Sequence, residues 1–210
     1  MRRALVITFA LSLIGCNVIK SDLLEPNDAA KTDANTARDA AIDAPPDAYV
    51  PFVGNLASNP DLENGNTIGW ANNGGSAVLA VSTAQAHAGT RSLLTTTRTA
   101  KWNGPGIPLT ATIRQGKRYS ATAWVRTMNP TTDKFYVSTR WTCTEDVDPH
   151  FNEQTNRTPA MATSTAWVQP SSTFTVVVPA VCTMTSFMVY VESDVITDPF
   201  YVDDIDIREM

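Results

Sequence analysis

Histidine is almost absent from this chain: among 210 residues there are two, His87 and His150. His87 sits in a turn-like His-Ala-Gly run and His150 in a polar loop. No Gly-x-Ser-x-Gly, His-Glu-x-x-His, phosphate-cradling glycine loop or Cys/His cluster occurs, so nucleophilic, zinc and nucleotide chemistry lack their residue sets. Positive charge is also scarce. Lys and Arg number 16 against 21 Asp and Glu, for a net charge of −5. With no basic patch or stripe, nucleic acid is not an expected partner. Long apolar runs are missing too. Ala4–Ile14 is apolar apart from Thr8 and Ser12, but a membrane-spanning helix needs about 20 such residues. No helical periodicity and no internal repeat stands out.

What the first residues do form is a signal-peptide pattern over 1–15: Met1-Arg2-Arg3, then the apolar core. It ends Leu13-Ile14-Gly15-Cys16, which resembles a bacterial lipobox. An ordinary secretory signal with a chance cysteine is the alternative. The resemblance implies a lipidated Cys16 and stable membrane anchoring. Asn17 follows, not an Asp, which favours an outer-membrane or cell-surface place in the envelope. Residues 16–50 are built from Ala, Asp, Thr, Asn and Pro, with no aromatic before Tyr49. Such a composition cannot offset chain entropy by burial. It reads as a disordered tether reaching roughly 30–35 Å as a coil.

From residue 51 the texture changes. Val, Thr, Tyr and Trp dominate, and turn residues recur every ten or so positions. This predicts one all-β sandwich over 51–210. Strands are expected over Ala77–Ser82, Ser92–Thr97, Arg118–Arg126, Lys134–Thr142, Ser172–Val178, Ser186–Glu192 and Phe200–Ile207. Asn72–Gly75, Asn103–Gly106, Gln115-Gly116, Asn129-Pro130 and Pro179 read as breakers. Alternation turns Phe187, Val189 and Val191 inward with Phe135, Val137 and Thr139. Met188, Tyr190 and Glu192, with Tyr136, Ser138 and Arg140, then share the other face. Asp203 and Asp204 are expected on opposite faces of the last strand. Cys143 and Cys182 are expected to pair in an exported domain, although two buried thiols are the alternative. Their bridge would close a loop of about 40 residues, worth about 4 kcal/mol in a chain-entropy account.

Several runs resemble carbohydrate-binding modules of the family 4, 9 and 22 type, family 22 above all. They are Asn59-Pro60-Asp61-Leu62-Glu63-Asn64-Gly65 with Gly69-Trp70; His87-Ala88-Gly89-Thr90-Arg91-Ser92-Leu93; Arg98–Pro105; Gly116–Val125; and Phe200-Tyr201-Val202-Asp203-Asp204-Ile205. The resemblance implies a galactose-binding-like jelly roll with a concave-face cleft for a β-linked glycan such as β-glucan or xylan. It also implies a structural Ca2+ clasped by Glu63 and Asp203, though both carboxylates could instead serve turns. Three family features depart: one aromatic position falls on Met188, another in the segment 146–159, where Phe151 is the one aromatic, and an Arg near the first glycine turn is replaced by Asn73 or Gly74.

A pyranose presents an apolar plate of C–H groups and a rim of hydroxyls. Aromatic rings meet the plate; carboxylates, guanidinium groups and amides meet the rim. Trp102 is the first candidate for a stacking ring, with a core tryptophan as the alternative. Glu192 is the candidate carboxylate, with a solvated strand-end charge as the alternative. Tyr190, Arg140, Tyr136 and Arg98 complete the set; Arg98 has bracing of the Trp102 loop as its alternative role. A glycosidase needs two carboxyls facing each other across the sugar, and Glu192 has no visible partner, so no catalysis is expected. The rival reading is an envelope protein–protein or structural role on the same sandwich.

Overall fold

The computed structural model describes residues 54–145, 150–151 and 157–210. The signal peptide, Cys16 and the tether lie outside these residues, as does most of the segment 146–156. No helix among the described residues is long and apolar enough to cross a membrane.

The described residues form twelve strands: β1 (Ala71–Asn72), β2 (Val78–Ser82), β3 (Ser92–Thr96), β4 (Pro105–Pro108), β5 (Arg118–Thr127), β6 (Asp133–Cys143), β7 (His150–Phe151), β8 (Arg157–Thr158), β9 (Ala160–Ala162), β10 (Ser171–Thr175), β11 (Met184–Ser193) and β12 (Phe200–Glu209). They make two antiparallel sheets, a jelly-roll β-sandwich. The first runs β1-β4-β11-β6-β7, with β9 also on β6; the second runs β2-β3-β12-β5-β10-β8. All seven expected strands are present. β5 alternates strictly: Tyr119, Ala121, Ala123 and Val125 are fully buried while their neighbours are not. These side chains meet Phe135, Val137, Phe187, Val189 and Val191 of the first sheet in one core. Burying each of these valine and phenylalanine side chains contributes about 1.5–3 kcal/mol.

Strand β4 is a correction. Asn103–Gly106 reads as a breaker, yet Pro105 opens a strand that pairs with β11. The glycine there answers a close approach, because a Cβ on Gly106 would fall 2.7 Å from the Met188 sulfur and 2.8 Å from the Tyr190 Cβ. Cys143 and Cys182 form a disulfide with Cα atoms 5.3 Å apart, as expected. The start of the domain is stapled to its end: the Asn55 amide donates to the Ile205 carbonyl (2.6 Å) and its Oδ1 accepts from the Ile207 N–H (3.0 Å).

The last strand carries a second correction. Its pairing with β5 shifts between Asp203 and Asp206, and Asp204 has φ of +45°, a left-handed conformation uncommon outside glycine. Strict alternation is broken, and both carboxylates reach the same residue, His87. Asp203 accepts from the His87 backbone N–H (2.7 Å), and Asp204 binds His87 Nδ1 (2.6 Å).

Candidate functional site

Across β4, β11 and β6 the register sets directly opposed pairs, and opposed residues share a face. Met188 lies between Pro108 and Arg140, Tyr190 between Gly106 and Ser138, and Glu192 opposite Tyr136. Since Phe187, Val189 and Val191 fill the core, these pairs form the outward face of the first sheet. The expected grouping of Tyr136, Arg140, Tyr190 and Glu192 is therefore present in the fold.

Glu192 is the hub. Its Oε1 accepts from Ser138 Oγ (2.8 Å) and pairs with the Arg157 guanidinium, and its Oε2 accepts from the Tyr190 hydroxyl (3.3 Å). Arg157 lies over the Tyr136 ring, 4.5 Å from its centroid, a cation–π contact. The Tyr136 hydroxyl donates to Asp194 (3.3 Å), which is 3.7 Å from the Lys101 ammonium. Tyr190 is 1 % exposed. Burial first, then the Glu192 charge, raises its phenol well above the usual range. Its ring is thus closed to a stacking ligand, and what it does is hold Glu192.

Trp102 stands at the edge of this face with 47 % of its surface exposed. Its loop is held from several sides. Asn103 is fully buried; its Oδ1 accepts from the Thr99 N–H (3.1 Å) and hydroxyl (2.8 Å), and its Nδ2 donates to the Gly74 carbonyl (3.2 Å). Asn73 donates to the Trp102 carbonyl (3.0 Å) and accepts from Arg140 Nη1 (3.0 Å). The indole rests against Gly74, whose φ is +67° and where a Cβ would run into the ring. Gly74 and Asn73 thereby link the indole to Arg140.

Arg98 is a correction. It is 5 % exposed, and its guanidinium donates to the carbonyls of Asn103 (2.6 Å), Lys101 (2.7 Å) and Val195 (2.7 Å). It braces the Trp102 loop and the turn after Glu192 and does not face a ligand. Burial pulls its proton affinity down, against the charges of Asp133, Asp198 and Glu192. Arg157 and Ser138 are site residues not singled out from the sequence. Ser138 had been placed on this face by alternation. Arg157 falls in the segment 146–159, and a lone Arg before Thr-Pro carries no signal of its own.

The residues expected to bind calcium lie elsewhere, gripping loop 87–91 from two sides. Glu63 accepts from the N–H groups of Thr90 and Arg91 (both 2.8 Å) and from the Thr90 hydroxyl (2.9 Å), with Arg91 Nη1 at 3.4 Å. Partial burial works against these donors, yet together they hold its carboxyl below the usual range. Asp203 is fully buried and is pushed up to about 8, by burial first and the Asp204 charge second. Burial raises Asp204 too, opposed by His87 and reinforced by Asp61 and Glu63. Acidic crowding of this kind fits a hard divalent cation, with main-chain carbonyls completing an oxygen shell. Asp203 accepts from the His87 and Asp204 N–H groups, one on each oxygen, so it and Glu63 alike would hold a cation only through their remaining lone pairs. The one group of three side-chain ligand atoms close together among the described residues is Cys143, Glu145 and Cys182. Its sulfurs are tied in the disulfide.

A sandwich whose outer sheet face combines an open indole with carboxylate, guanidinium and amide groups defines a carbohydrate-binding module. A model of the carbohydrate binding domain family (CBM 4/9) matches residues 54–196, and the chain belongs to that family. It is similar to endo-1,4-beta-xylanase A of Thermoanaerobacterium saccharolyticum, 36 % identical over 156 residues, which are 74 % of this chain and 13 % of that protein. Against endo-1,4-beta-xylanase A of Thermotoga neapolitana it is 32 % identical over 143 residues, 65 % of this chain and 12 % of that one. The chain thus spans about an eighth of each of these relatives. In fold it resembles the CBM22-1 xylan-binding domain from Paenibacillus barcinonensis Xyn10C, with a TM-score of 0.60 at 23 % identity over 71 % of this chain and 91 % of that one. It also resembles the C-terminal family 22 carbohydrate binding module of Clostridium thermocellum Xyn10B, with a TM-score of 0.61 at 20 % identity over 76 % of this chain and 96 % of that one.

Proposed function

We propose that this protein binds a β-linked, xylan-like polysaccharide across the outward face of its first sheet and carries out no reaction on it. The observation that carries the reading is Trp102. Its ring is half exposed, is held rigid by Gly74 and Asn103, and borders the Glu192, Arg157, Ser138 and Arg140 cluster. The ring meets the sugar's apolar plate; the cluster meets its hydroxyl rim. The part of the xylanases that this chain resembles is about an eighth of their length, which supports binding rather than hydrolysis. The same proposal includes a structural calcium ion held by Asp203 and Glu63. It also includes display on the cell envelope, by a lipid on Cys16 and the tether 16–50, with removal of residues 1–15.

The test is affinity electrophoresis of the full-length protein in gels containing soluble xylan, β-glucan or mannan. We expect retardation by xylan and its loss in Trp102→Ala. Equal retardation of both proteins would reject the assignment of the site.

A further inference from the structure

Among the described residues the binding face holds more positive charge than its own carboxylates neutralise, although the chain as a whole is acidic. Arg157 is matched to Glu192, and Lys101 to Asp194. Lys134 lies 5.5 Å from the Tyr136 ring centroid. Arg140 stands apart. Its one described hydrogen bond runs from Nη1 to the neutral amide of Asn73. Its Nε is shut away from water with no acceptor, and among the described residues no carboxylate lies within ion-pair reach of it. A guanidinium without a counter-charge on a ligand-facing surface selects for an anionic partner, and its planar fork matches a carboxylate.

Resting on the function proposed above, we propose that this face takes a glycan bearing carboxylate groups, with uronic acid substituents on a β-linked backbone, and that Arg140 is the residue that selects them. Arg140 is linked through Asn73 and Gly74 to Trp102, so a chain stacked on the indole carries its substituents toward the guanidinium. Arg157 does not serve in the same way, because Glu192 already holds it. A neutral xylan satisfies the stacking ring but leaves the Arg140 charge uncompensated.

The experiment compares glucuronoxylan with the same polymer after reduction of its carboxyl groups to alcohols, by titration calorimetry on the full-length protein. Carboxyl reduction is expected to weaken binding about tenfold, the effect of one charge-assisted hydrogen bond. The gap should shrink as salt is raised. In Arg140→Gln the ratio between the two polymers should fall to about twofold or less. Equal affinity of the wild-type protein for both polymers overturns the acidic-sugar inference while leaving xylan binding intact. A wild-type preference that persists unchanged in Arg140→Gln overturns the assignment to Arg140. Failure to bind either polymer, or β-glucan or mannan, takes down the function itself and this inference with it.

Discussion

Both sheets carry aromatic residues on their outward faces, and the two faces use them differently. On the second sheet, Trp124 projects from β5 between the core residues Ala123 and Val125. His87 stacks flat on it at 3.8 Å with an interplanar angle of 13°, and Trp167 meets that imidazole edge-on at 5.9 Å. Tyr201 lies beyond, 6.5 Å from Trp167, and neighbouring Arg126 is turned onto the Ser164 carbonyl (2.6 Å). These rings are already in use by the protein's own side chains. On the first sheet, Trp102 rests one side on Gly74 and leaves the other open. A sandwich rich in tryptophan therefore shows its ligand site by which ring lacks a cover. Of five tryptophans, Trp70 and Trp141 are buried, Trp124 is capped, Trp167 is half-buried against His87 and Tyr201, and Trp102 is the exposed one.

The sharpest way to break this contrast is to remove one ring from each face. Trp124→Ala should lower stability by about 3 kcal/mol, read by urea unfolding, and leave xylan affinity within about twofold. Trp102→Ala should do the reverse: affinity lost, stability within about 0.5 kcal/mol. Should Trp124→Ala abolish binding, the two faces have been assigned the wrong way round.

The next effect concerns the acidic cluster beneath His87. A chelator should lower the melting temperature of calcium-loaded protein by the equivalent of about 2–3 kcal/mol, and more at pH 8 than at pH 5. The sign follows from Asp203. Its folded carboxyl is raised to about 8 from an unfolded value near 3.9, so between these values the folded state binds the extra proton. Stability of the metal-free protein then falls as pH rises through that window. At pH 5 the proton already neutralises Asp203, and at pH 8 the metal ion must. A melting temperature that is indifferent to chelator at both pH values removes the metal from the account.

A smaller effect sharpens the picture of Trp102. Gly74→Ala places a methyl group against the indole at a backbone position with φ of +67°. Affinity should fall about tenfold, with a stability loss of about 1 kcal/mol. Unchanged binding would mean that the ring need not sit where Gly74 holds it.

Much of this fold was legible in the residues, because long strands with one buried face impose period-two alternation. β5 follows it throughout, and β6 and β11 follow it in which side chains enter the core, and with them the grouping of Tyr136, Arg140, Tyr190 and Glu192. The failures share a cause: each depends on what lies across from a residue rather than beside it in sequence. Gly104-Pro105-Gly106 looks like a turn until Met188 and Tyr190 are seen crowding Gly106. Asp203 and Asp204 alternate on paper, and a bulge with left-handed backbone at Asp204 defeats the alternation. Tyr190 sits on the expected face, but its packing against Glu192 and its neighbours closes it to solvent. Arg98 belongs to a recognisable run, and only its carbonyl partners reveal that it is a brace. Arg157 has no local pattern at all; its role exists because β8 pairs with β10 of the second sheet while its side chain reaches the first.

The Asn55 staple bears on how the domain withstands force. Any pull on the chain from upstream of Gly54 is delivered to β12, through the amide that straddles Ile205 and Ile207. β12 lies between β3 and β5, so two ladders share the tension before it reaches the opposite sheet. Load applied there strains the back of this sandwich first and leaves the indole and its neighbours undisturbed.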